Sequence, residues 1–359
     1  MTQDKSTSAT AFSMNGGDGP YSYAENSSYQ RKAIEATQGM ISEEKFDVKQ
    51  MCSSSSPMTF CIADLGCSVG PNTFIAMQNI IDGMKEKNKS QGHSSQIPEF
   101  QVFFNDQVLN DFNKLLMSLP LHREYFASAV PGSFYDRLFP KASLHFVYSS
   151  SSIHWLSMVP KPVEDMNSPA FNKGRIHYGG AAKEVVDAYL AQFVSDMECF
   201  LSARAEELVS RGLMGLLVPT RKKANLILST VLSHHPFDVL GSCLMDMATK
   251  GLLEEEKVDS FNLPLYIPTV EEFEEAMKSN EHFSIERFEL LGLKSSSEIV
   301  PETLSMHARA SMEGRIGEHF GIEILDELFD LFTKKAAELG ICNSGNRFDA
   351  ELFVLLKRK

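Results

Sequence analysis

The sequence predicts an α/β fold in which a mostly parallel sheet is flanked by helices and carries an α-helical cap. Apolar runs of strand length alternate with helix-like segments from residue 58 to residue 219. Beyond residue 220 the pattern changes to Met- and Leu-rich helical stretches. Because parallel strands need a crossover connection, alternation of strands and helices indicates a parallel sheet.

The strands are predicted from short apolar runs bounded by polar residues or turn signals. The first, at 58–64, ends in Asp64, and the second, at 100–105, is followed by Asp106. Further apolar runs predict strands at 126–130, 143–148, 213–219, 283–291 and 350–357.

The helices are predicted where apolar residues recur at helical spacing or where a capping signal opens a segment. Thr269 and Glu272 form a capping box, which predicts a short helix ending at Lys278. Gly212 and Gly340 are expected to end helices. The remaining helices are predicted at 22–46, 72–85, 108–118, 183–210, 224–252, 302–312 and 322–339.

The most informative segment is the turn between the first strand and the next helix. It reads Asp64-Leu-Gly66-Cys-Ser68-Val-Gly70 and is followed by Pro71. Glycines let a ligand approach the backbone, and a helix N-terminus offers free N–H donors, so the turn favours a nucleotide-like ligand. The dinucleotide fingerprint G-x-G-x-x-G is absent, because the acidic residue precedes the glycines. An ordinary strand-to-helix turn is the alternative reading.

Composition limits the function classes. The chain has 359 residues and a net charge of −13, which disfavours nucleic acid as a partner because phosphate binding needs a basic surface. The six cysteines show no paired spacing, which favours reduced thiols in a cytoplasmic protein. No segment reaches the ~18 apolar residues of a membrane span, so no membrane partner is expected. Residues 1–13 are predicted to be a disordered tail.

Three further groups of polar residues stand out. Asp106, at the end of the second strand, is suited to accept hydrogen bonds from ribose hydroxyls, although a solvated loop Asp is the alternative. The serine run 149–152 precedes His154 and Trp155, the sole tryptophan of the chain. Each of these two rings could equally be a core or pocket-wall residue. Near the N-terminus a glycine-rich segment suggests a lid.

At this point the chain resembles the plant SABATH methyltransferases from Met14 to its C-terminus. The resemblance implies a Rossmann-like class I methyltransferase core. It is specific because several separated motifs agree. They are MNGGDG with SYAxNS at 14–27, ADLGCSxGPNT at 63–73, NDxxxNDFN at 105–113, VPGSFYxRLFP at 130–140, SSxxxHWLS at 149–157 and DSFNxP at 259–264.

The resemblance also implies roles for individual residues. Gln30 and Trp155 would position the acceptor carboxylate. The methyl donor would be S-adenosyl-L-methionine (SAM), which becomes S-adenosyl-L-homocysteine (SAH) when it loses its methyl group. Its site would comprise Tyr23, Ser27, Asp64, Gly66, Cys67, Asn72, Asp106, Gln107, Ser133, Phe134 and Ser150. The acceptor pocket would comprise Ile153, His154, Pro236, Phe237, Ala308 and Phe348.

Relatives also show a Mg²⁺-type cation site, whose matching positions are Asn172, Asp259, the Phe261 carbonyl and Asn262. Asn15 departs from the family, because relatives often carry a lysine there that approaches the carboxylate of the donor. The family further implies a homodimer.

The chain is expected to divide into a SAM-binding core and a cap. The core would comprise 14–160, 183–219 and 341–359, and the mainly helical cap, which forms the acceptor pocket, would comprise 161–182 and 220–340.

A carboxylic acid is already ionised at pH 7, so its methylation needs alignment rather than a general base. The resemblance therefore implies methyl transfer to the carboxylate of a small, largely apolar acid, giving a methyl ester. Because Ala308 replaces larger residues, an elongated or isoprenoid-like acid is expected over benzoate. N-methylation of a purine-like acceptor and non-catalytic binding of a small acid remain as alternatives.

Overall fold

In the part of the chain that the structure describes, a central sheet has seven strands in the order β3-β2-β1-β4-β5-β7-β6. The structure is a computed structural model that describes residues 13–43, 59–90, 98–221, 235–278, 280–292, 300–342 and 350–359. The first five strands run parallel, and β7 pairs antiparallel with both β5 and β6. The predicted mostly parallel sheet is confirmed. The strands are β1 (Thr59–Leu65), β2 (Glu99–Asp106), β3 (Phe126–Pro131), β4 (Leu144–Ser150), β5 (Leu208–Thr220), β6 (Phe283–Leu291) and β7 (Ala350–Arg358).

The helices follow the predicted pattern, with shifted ends. They are α1 (Tyr23–Asn26), α2 (Ser28–Ala36), α3 (Gln38–Glu43), α4 (Pro71–Ser90), α5 (Phe112–Met117), α6 (Lys183–Glu207), α7 (Pro236–Thr249), α8 (Glu255–Asp259), α9 (Val270–Lys278), α10 (Pro301–Phe320) and α11 (Leu325–Glu338). Short 3-10 turns cover Lys161–Val163 and Ile322–Ile324. The predicted helical stretches at 44–46 and 224–234, and the tail before residue 13, lie outside the described residues.

Both faces of the sheet are covered, as a parallel sheet requires. Along β1, Phe60 and Ile62 join the cluster that contains α4, whereas Ala63 and Leu65 join the cluster that contains α6. Alternate residues of a strand point to opposite faces, so a nearly continuous apolar run supplies two cores. The order of strands reverses between β1 and β4, and in such sheets ligands bind at the carboxyl ends beside the reversal.

A third apolar cluster lies apart from the sheet and is built by α7, α10 and α11 with the segment 258–267. The capping box predicted at the start of α9 is present. The Glu272 N–H donates to Thr269 Oγ1 at 3.1 Å, and the Thr269 N–H donates to Glu272 Oε2 at 2.8 Å. β6 lies in the range expected for the cap but forms an edge strand of the sheet.

The junction of α6 and β5 differs from the prediction of a helix ending at Gly212. The helix ends at Glu207, and β5 starts at Leu208, which pairs with Leu144. The register then shifts between Leu144 and Phe146, and Arg211 takes a φ of 65°. An irregularity of this kind hides the start of a strand, because apolar alternation resumes only after it.

One buried ion pair ties α6 to the loop that follows β3. Arg204 Nε donates to Glu207 Oε2 at 2.7 Å, and both side chains are fully buried. The guanidinium also donates to the Phe134 carbonyl at 2.6 Å, and Glu207 Oε1 accepts the Phe139 N–H at 2.9 Å. The pair therefore fixes the loop that carries Ser133 and Phe134.

We predict that Glu207→Ala lowers the free energy of unfolding by about 3–5 kcal/mol, because Arg204 would remain buried without its counter-charge. Urea denaturation measures this. Glu206→Ala is the matched control, since its ion pair with Arg137 is exposed and should contribute less than about 1 kcal/mol. Equal losses for the two variants would contradict the prediction.

Candidate active site

The turn after β1 is bound to the end of β2. The N–H groups of Gly66 and Cys67 both donate to the Asn105 carbonyl at 2.9 Å, and the Ser68 N–H donates to Asp106 Oδ2 at 2.7 Å. The Asp106 carboxylate also accepts the Gln107 N–H at 2.7 Å. These bonds place the ends of two neighbouring strands in one compact unit.

Two glycines of the turn are required by conformation and by close packing. Gly66 has a φ of +80°, and a side chain there would lie 2.5 Å from Ser152 Cβ. Gly70 has a φ of +101°, and its added Cβ would lie 2.8 Å from Ala24 Cα. The turn therefore packs against the end of β4 on one side and against the N-terminal segment on the other.

The two acidic strand ends lie in a poorly solvated environment. Burial raises the pKa of Asp64 to about 7, opposed by a short hydrogen bond from Thr73 Oγ1 and reinforced by the charge of Asp106. Burial also raises the pKa of Asp106 to about 6, opposed by the N–H groups of Ser68 and Gln107. A cationic ligand would stabilise both carboxylates in their ionised form.

A small cavity of ≈ 30 Å³ opens at this turn. Six residues predicted for the methyl-donor site line it: Tyr23, Asp64, Gly66, Cys67, Asn72 and Ser150.

The other predicted donor residues lie around this cavity. Ser27 is joined to it by Asn72, whose amide donates to Ser27 Oγ at 2.9 Å. Asp106 and Gln107 lie at the end of β2. Phe134 packs beside Gly66, and Ser133 accepts the Tyr135 N–H through its hydroxyl at 3.2 Å.

The N-terminal segment lies over the site and is held by α10. The Asn15 N–H donates to the Ala310 carbonyl at 2.9 Å, and His307 Nδ1 lies 2.8 Å from the Asn26 carbonyl. The Asn15 side chain donates to the carbonyls of Tyr21 and Arg309, both at 3.3 Å. Asn15, which stands where the family resemblance predicts a lysine, therefore binds the N-terminal segment to α10.

A larger cavity of ≈ 160 Å³ adjoins the first. Five predicted acceptor residues line it: Gln30, His154, Trp155, Pro236 and Phe237. Ile153 and Ala308 are buried instead in the apolar clusters of the sheet and the cap, and neither lines the cavity. The helix that carries Ala308 does line it, but through Thr303, Leu304, His307 and Ser311. Phe348 lies outside the described residues.

Tyr23 and Gln30 line both cavities. They therefore form a shared wall between a small space bordered by Asp64 and a larger space bordered mainly by aromatic, apolar and uncharged polar side chains. Gln30 Oε1 is buried and has no hydrogen-bond partner among the described residues, so this oxygen is available to a hydrogen-bond donor of a ligand. Burial is the largest of the causes that raise the pKa of Tyr23, which keeps its hydroxyl protonated.

The large cavity also contains residues that sequence reasoning missed, among them Tyr29, His235, His307 and Glu351. Burial lowers the pKa of His154 to about 3, and that of His235 likewise, so both rings are neutral at pH 7. No Lys or Arg lines either cavity within the described ranges. No short motif could have indicated these residues, since they come from segments far apart in the chain.

The predicted cation ligands lie close together but are mostly engaged with each other. The Asn172 amide donates to Asn262 Oδ1 at 2.8 Å, and Asp259 Oδ1 accepts the Gly174 N–H at 2.6 Å. Asn172 Oδ1 is buried without a partner in the described part of the chain. One carboxylate and a free amide oxygen suit a hard cation chemically, although they supply little charge.

A second group with metal-ligand chemistry comprises His177, His235 and Asp238, whose ligand atoms lie within 4.8 Å of one another. The two imidazoles are stacked at 5.0 Å with planes 16° apart. Parallel rings direct their lone pairs alongside each other and not toward one point. The ring of His177 instead contacts the Asp238 carboxylate at 3.2 Å.

The fold and the site define a class I SAM-dependent methyltransferase, in which the ends of β1 and β2 bear acidic residues beside a glycine turn. A solved structure described as loganic acid methyltransferase with SAH superposes on this chain with a TM-score of 0.89. The sequences are 46% identical, and the match covers 96% of this chain and 98% of that one.

Sequence comparison gives the family. The profile described as SAM dependent carboxyl methyltransferase matches residues 9–359. Loganic acid O-methyltransferase of Catharanthus roseus is 47% identical, covering 98% of this chain and 96% of that protein. Farnesoic acid carboxyl-O-methyltransferase of Arabidopsis thaliana is 41% identical, covering 92% and 94%.

The chain belongs to the SAM-dependent carboxyl methyltransferases, the SABATH family that its motifs predict. It is an enzyme that uses SAM to methylate carboxylic acids. Among the described helices, none is both long and apolar enough to cross a membrane.

We predict that Gly66→Ala weakens SAH binding by at least about tenfold, because Gly66 lines the small cavity and the new Cβ would displace Ser152 and strain a left-handed turn. Isothermal titration calorimetry measures the affinity. Gly39→Ala is the matched control, since its Cβ meets nothing within 4 Å. Unchanged binding by Gly66→Ala would contradict the described packing.

Proposed function

We propose that SAM lies in the small cavity with its ribose against Asp106 and its methionine part against Asp64, Gly66, Cys67 and Asn72. Tyr23, Ser27, Gln107, Ser133, Phe134 and Ser150 would complete this site. The observation that supports the arrangement is the pair of desolvated carboxylates at the strand ends, because the donor carries an ammonium group and a sulfonium centre. Its reactive methyl group would then face the opening between Tyr23 and Gln30.

We propose further that the acceptor acid lies in the large cavity with its carboxylate held by Gln30 and Trp155. Both side chains line that cavity, and an amide and an indole offer N–H donors without a formal charge. A carboxylate held by neutral donors keeps its nucleophilicity, whereas an Arg clamp would stabilise the ground state. One carboxylate oxygen attacks the methyl carbon, the sulfonium–carbon bond breaks, and SAH leaves as a neutral thioether.

The lining of the large cavity favours an acid that bears hydroxyl groups. His154, His235 and Ser151 join apolar residues such as Phe237 and Leu265 in its wall. Neutral imidazoles can exchange hydrogen bonds with hydroxyl groups, and the apolar residues suit a terpenoid skeleton. This revises the expectation of an elongated or isoprenoid-like acid, because Ala308, on which it rested, does not line the cavity. Loganic acid, which is hydroxyl-rich, is accordingly favoured over farnesoic acid.

Other features remain proposals from the family. The boundary between core and cap is supported by the separate apolar cluster of α7, α10 and α11. A cytoplasmic homodimer without nucleic-acid or membrane partners is proposed from charge, cysteine usage and family resemblance. Asn172, Asp259, Asn262 and the Phe261 carbonyl would hold Mg²⁺, for which a stabilising role in the cap is proposed.

We predict that SAH binding weakens as the pH falls from 8 to 5.5. The carboxylates of Asp64 and Asp106 have pKa values of about 7 and 6, so acid protonates them and removes the charge that binds the ammonium and ribose. Calorimetric titration of SAH at several pH values measures this. Affinity that stays constant over this range would contradict the donor assignment.

We predict that loganic acid is methylated faster than farnesoic acid, and benzoic acid slowest. Mass spectrometry of the methyl esters formed by purified enzyme with SAM gives the order. Benzoic acid as the fastest acceptor would contradict the proposed cavity. Methylation of a purine in place of any acid would support the alternative activity.

In the same assay Gln30→Ala should lower kcat/KM for the best acid by about 10- to 150-fold, the value of a lost hydrogen bond to a charged group. Gln78→Ala is the control, because Gln78 lies on α4 and pairs with Asp82 at the surface. Full activity of Gln30→Ala would contradict its assigned role.

A further inference from the structure

Glu351 is a buried carboxyl group in the wall of the acceptor cavity. It lies at the start of β7, where it is paired with Pro219 of β5 and Leu291 of β6. Its side chain is 0% exposed, yet it lines the same cavity as Tyr29 and Gln30. The strand therefore places an acidic group close to the position proposed for the acceptor carboxylate.

The groups that face Glu351 supply no positive charge. The Tyr29 side chain of α2 acts on its carboxyl group by lowering its pKa, and Glu25 of α1 is a second acidic side chain in the wall of the cavity. Its negative charge is one of the causes that raise the pKa of Tyr23 in α1 and of Tyr148 in β4. The imidazoles of His154, His235 and His307 line the same cavity, and burial lowers the pKa of each below its ordinary value.

The protonation state of Glu351 follows from this environment. Burial raises its pKa to about 8, opposed by the hydrogen bond with Tyr29. At pH 7 the group is mostly a neutral carboxylic acid, which can donate a hydrogen bond and does not repel an anion. Above pH 8 it becomes a carboxylate, which cannot donate and repels a bound acid.

We propose that Glu351 is a positioning residue for the acceptor: its neutral carboxyl group in the cavity wall beside Gln30 allows the acceptor anion to approach, and its ionisation weakens binding of that anion. The proposal rests on the proposed function, since it requires that the large cavity binds an acid. Above pH 8 the acceptor should therefore bind more weakly. Binding of the donor should not weaken in this range, because its sulfonium is a cation.

Other titrations near the site fall in different pH ranges. Asp64 and Asp106 ionise near pH 7 and 6 and act on the donor. His154 and His235 remain neutral above pH 7, because their pKa values are about 3. An increase in KM for the acid between pH 7 and 9.5, without an increase in KM for SAM, therefore identifies Glu351.

The test measures kcat and both KM values from pH 6.5 to 9.5, with loganic acid as the probe. We expect KM for loganic acid to rise on the order of tenfold in the unmodified enzyme, with a midpoint near pH 8. Glu351→Gln should keep KM low throughout, because an amide donates a hydrogen bond and does not ionise. Glu289→Gln, on the neighbouring strand β6 and paired with Arg287, is the matched control and should behave as the unmodified enzyme.

An active enzyme whose KM for loganic acid does not change with pH, or a Glu351→Gln variant that follows the unmodified profile, would overturn the proposal alone. An enzyme that methylates neither loganic nor farnesoic acid would overturn the proposed function and this inference with it.

Thermal unfolding provides a second readout that needs no substrate. The pKa of Glu351 is about 8 in the folded protein and 4.5 in an ordinary environment, so folding becomes less favourable as pH rises from 4.5 to 8. The Tm of Glu351→Gln minus the Tm of the unmodified enzyme should therefore be larger at pH 9 than at pH 5. The same Tm difference at both pH values would show that Glu351 is not a buried neutral acid and would overturn the proposal.

Discussion

The glycine turn after β1 is the constraint on which the rest of the site depends. Its N–H groups are fixed by the Asn105 carbonyl and by Asp106, so the first two strands end at a common point. Ser152 packs on Gly66, and Ala24 packs on Gly70. A side chain at either glycine would separate the end of β4 or the N-terminal segment from this point. The end of β4 and the N-terminal segment, which both border the cavities, are thus positioned against one short turn.

The charges of the two cavities are divided in a way that suits methyl transfer. Asp64 borders the space proposed for the cationic donor and Asp106 lies beside it, whereas the space proposed for the anionic acceptor is bordered by Gln30, Trp155 and neutral imidazoles, with Glu25 and Glu351 as its acidic residues. Transfer cancels the charges of the sulfonium and of the acceptor carboxylate, so the ester is uncharged and SAH keeps only the charges of its amino-acid part. The acceptor carboxylate is already ionised, so it only has to be aligned with the methyl group. Alignment at Tyr23 and Gln30 therefore makes a Lys or Arg that binds the carboxylate unnecessary.

The sheet could be predicted from the sequence, and so could the grouping of the donor-site candidates at one turn, because both depend on local patterns. Asp64 and Asp106 follow apolar strands, and parallel strands end at the same edge. The lining of the large cavity was harder to predict, because it depends on which face of a cap helix meets the cavity. Ala308 lies one position from His307, yet only His307 lines the cavity. Glu351 could not be predicted, since nothing in the alternation of β7 shows that its side chain meets a segment about 320 residues earlier.

The central claim is that donor and acceptor meet at the wall shared by Tyr23 and Gln30. A crystal structure of the enzyme with SAH and loganic acid tests it most directly. We expect the sulfur of SAH to face a carboxylate oxygen across this wall, with room for one methyl group between them and the carboxylate bound by Gln30 and Trp155. A carboxylate bound elsewhere in the large cavity, or SAH bound away from the turn after β1, would contradict the account.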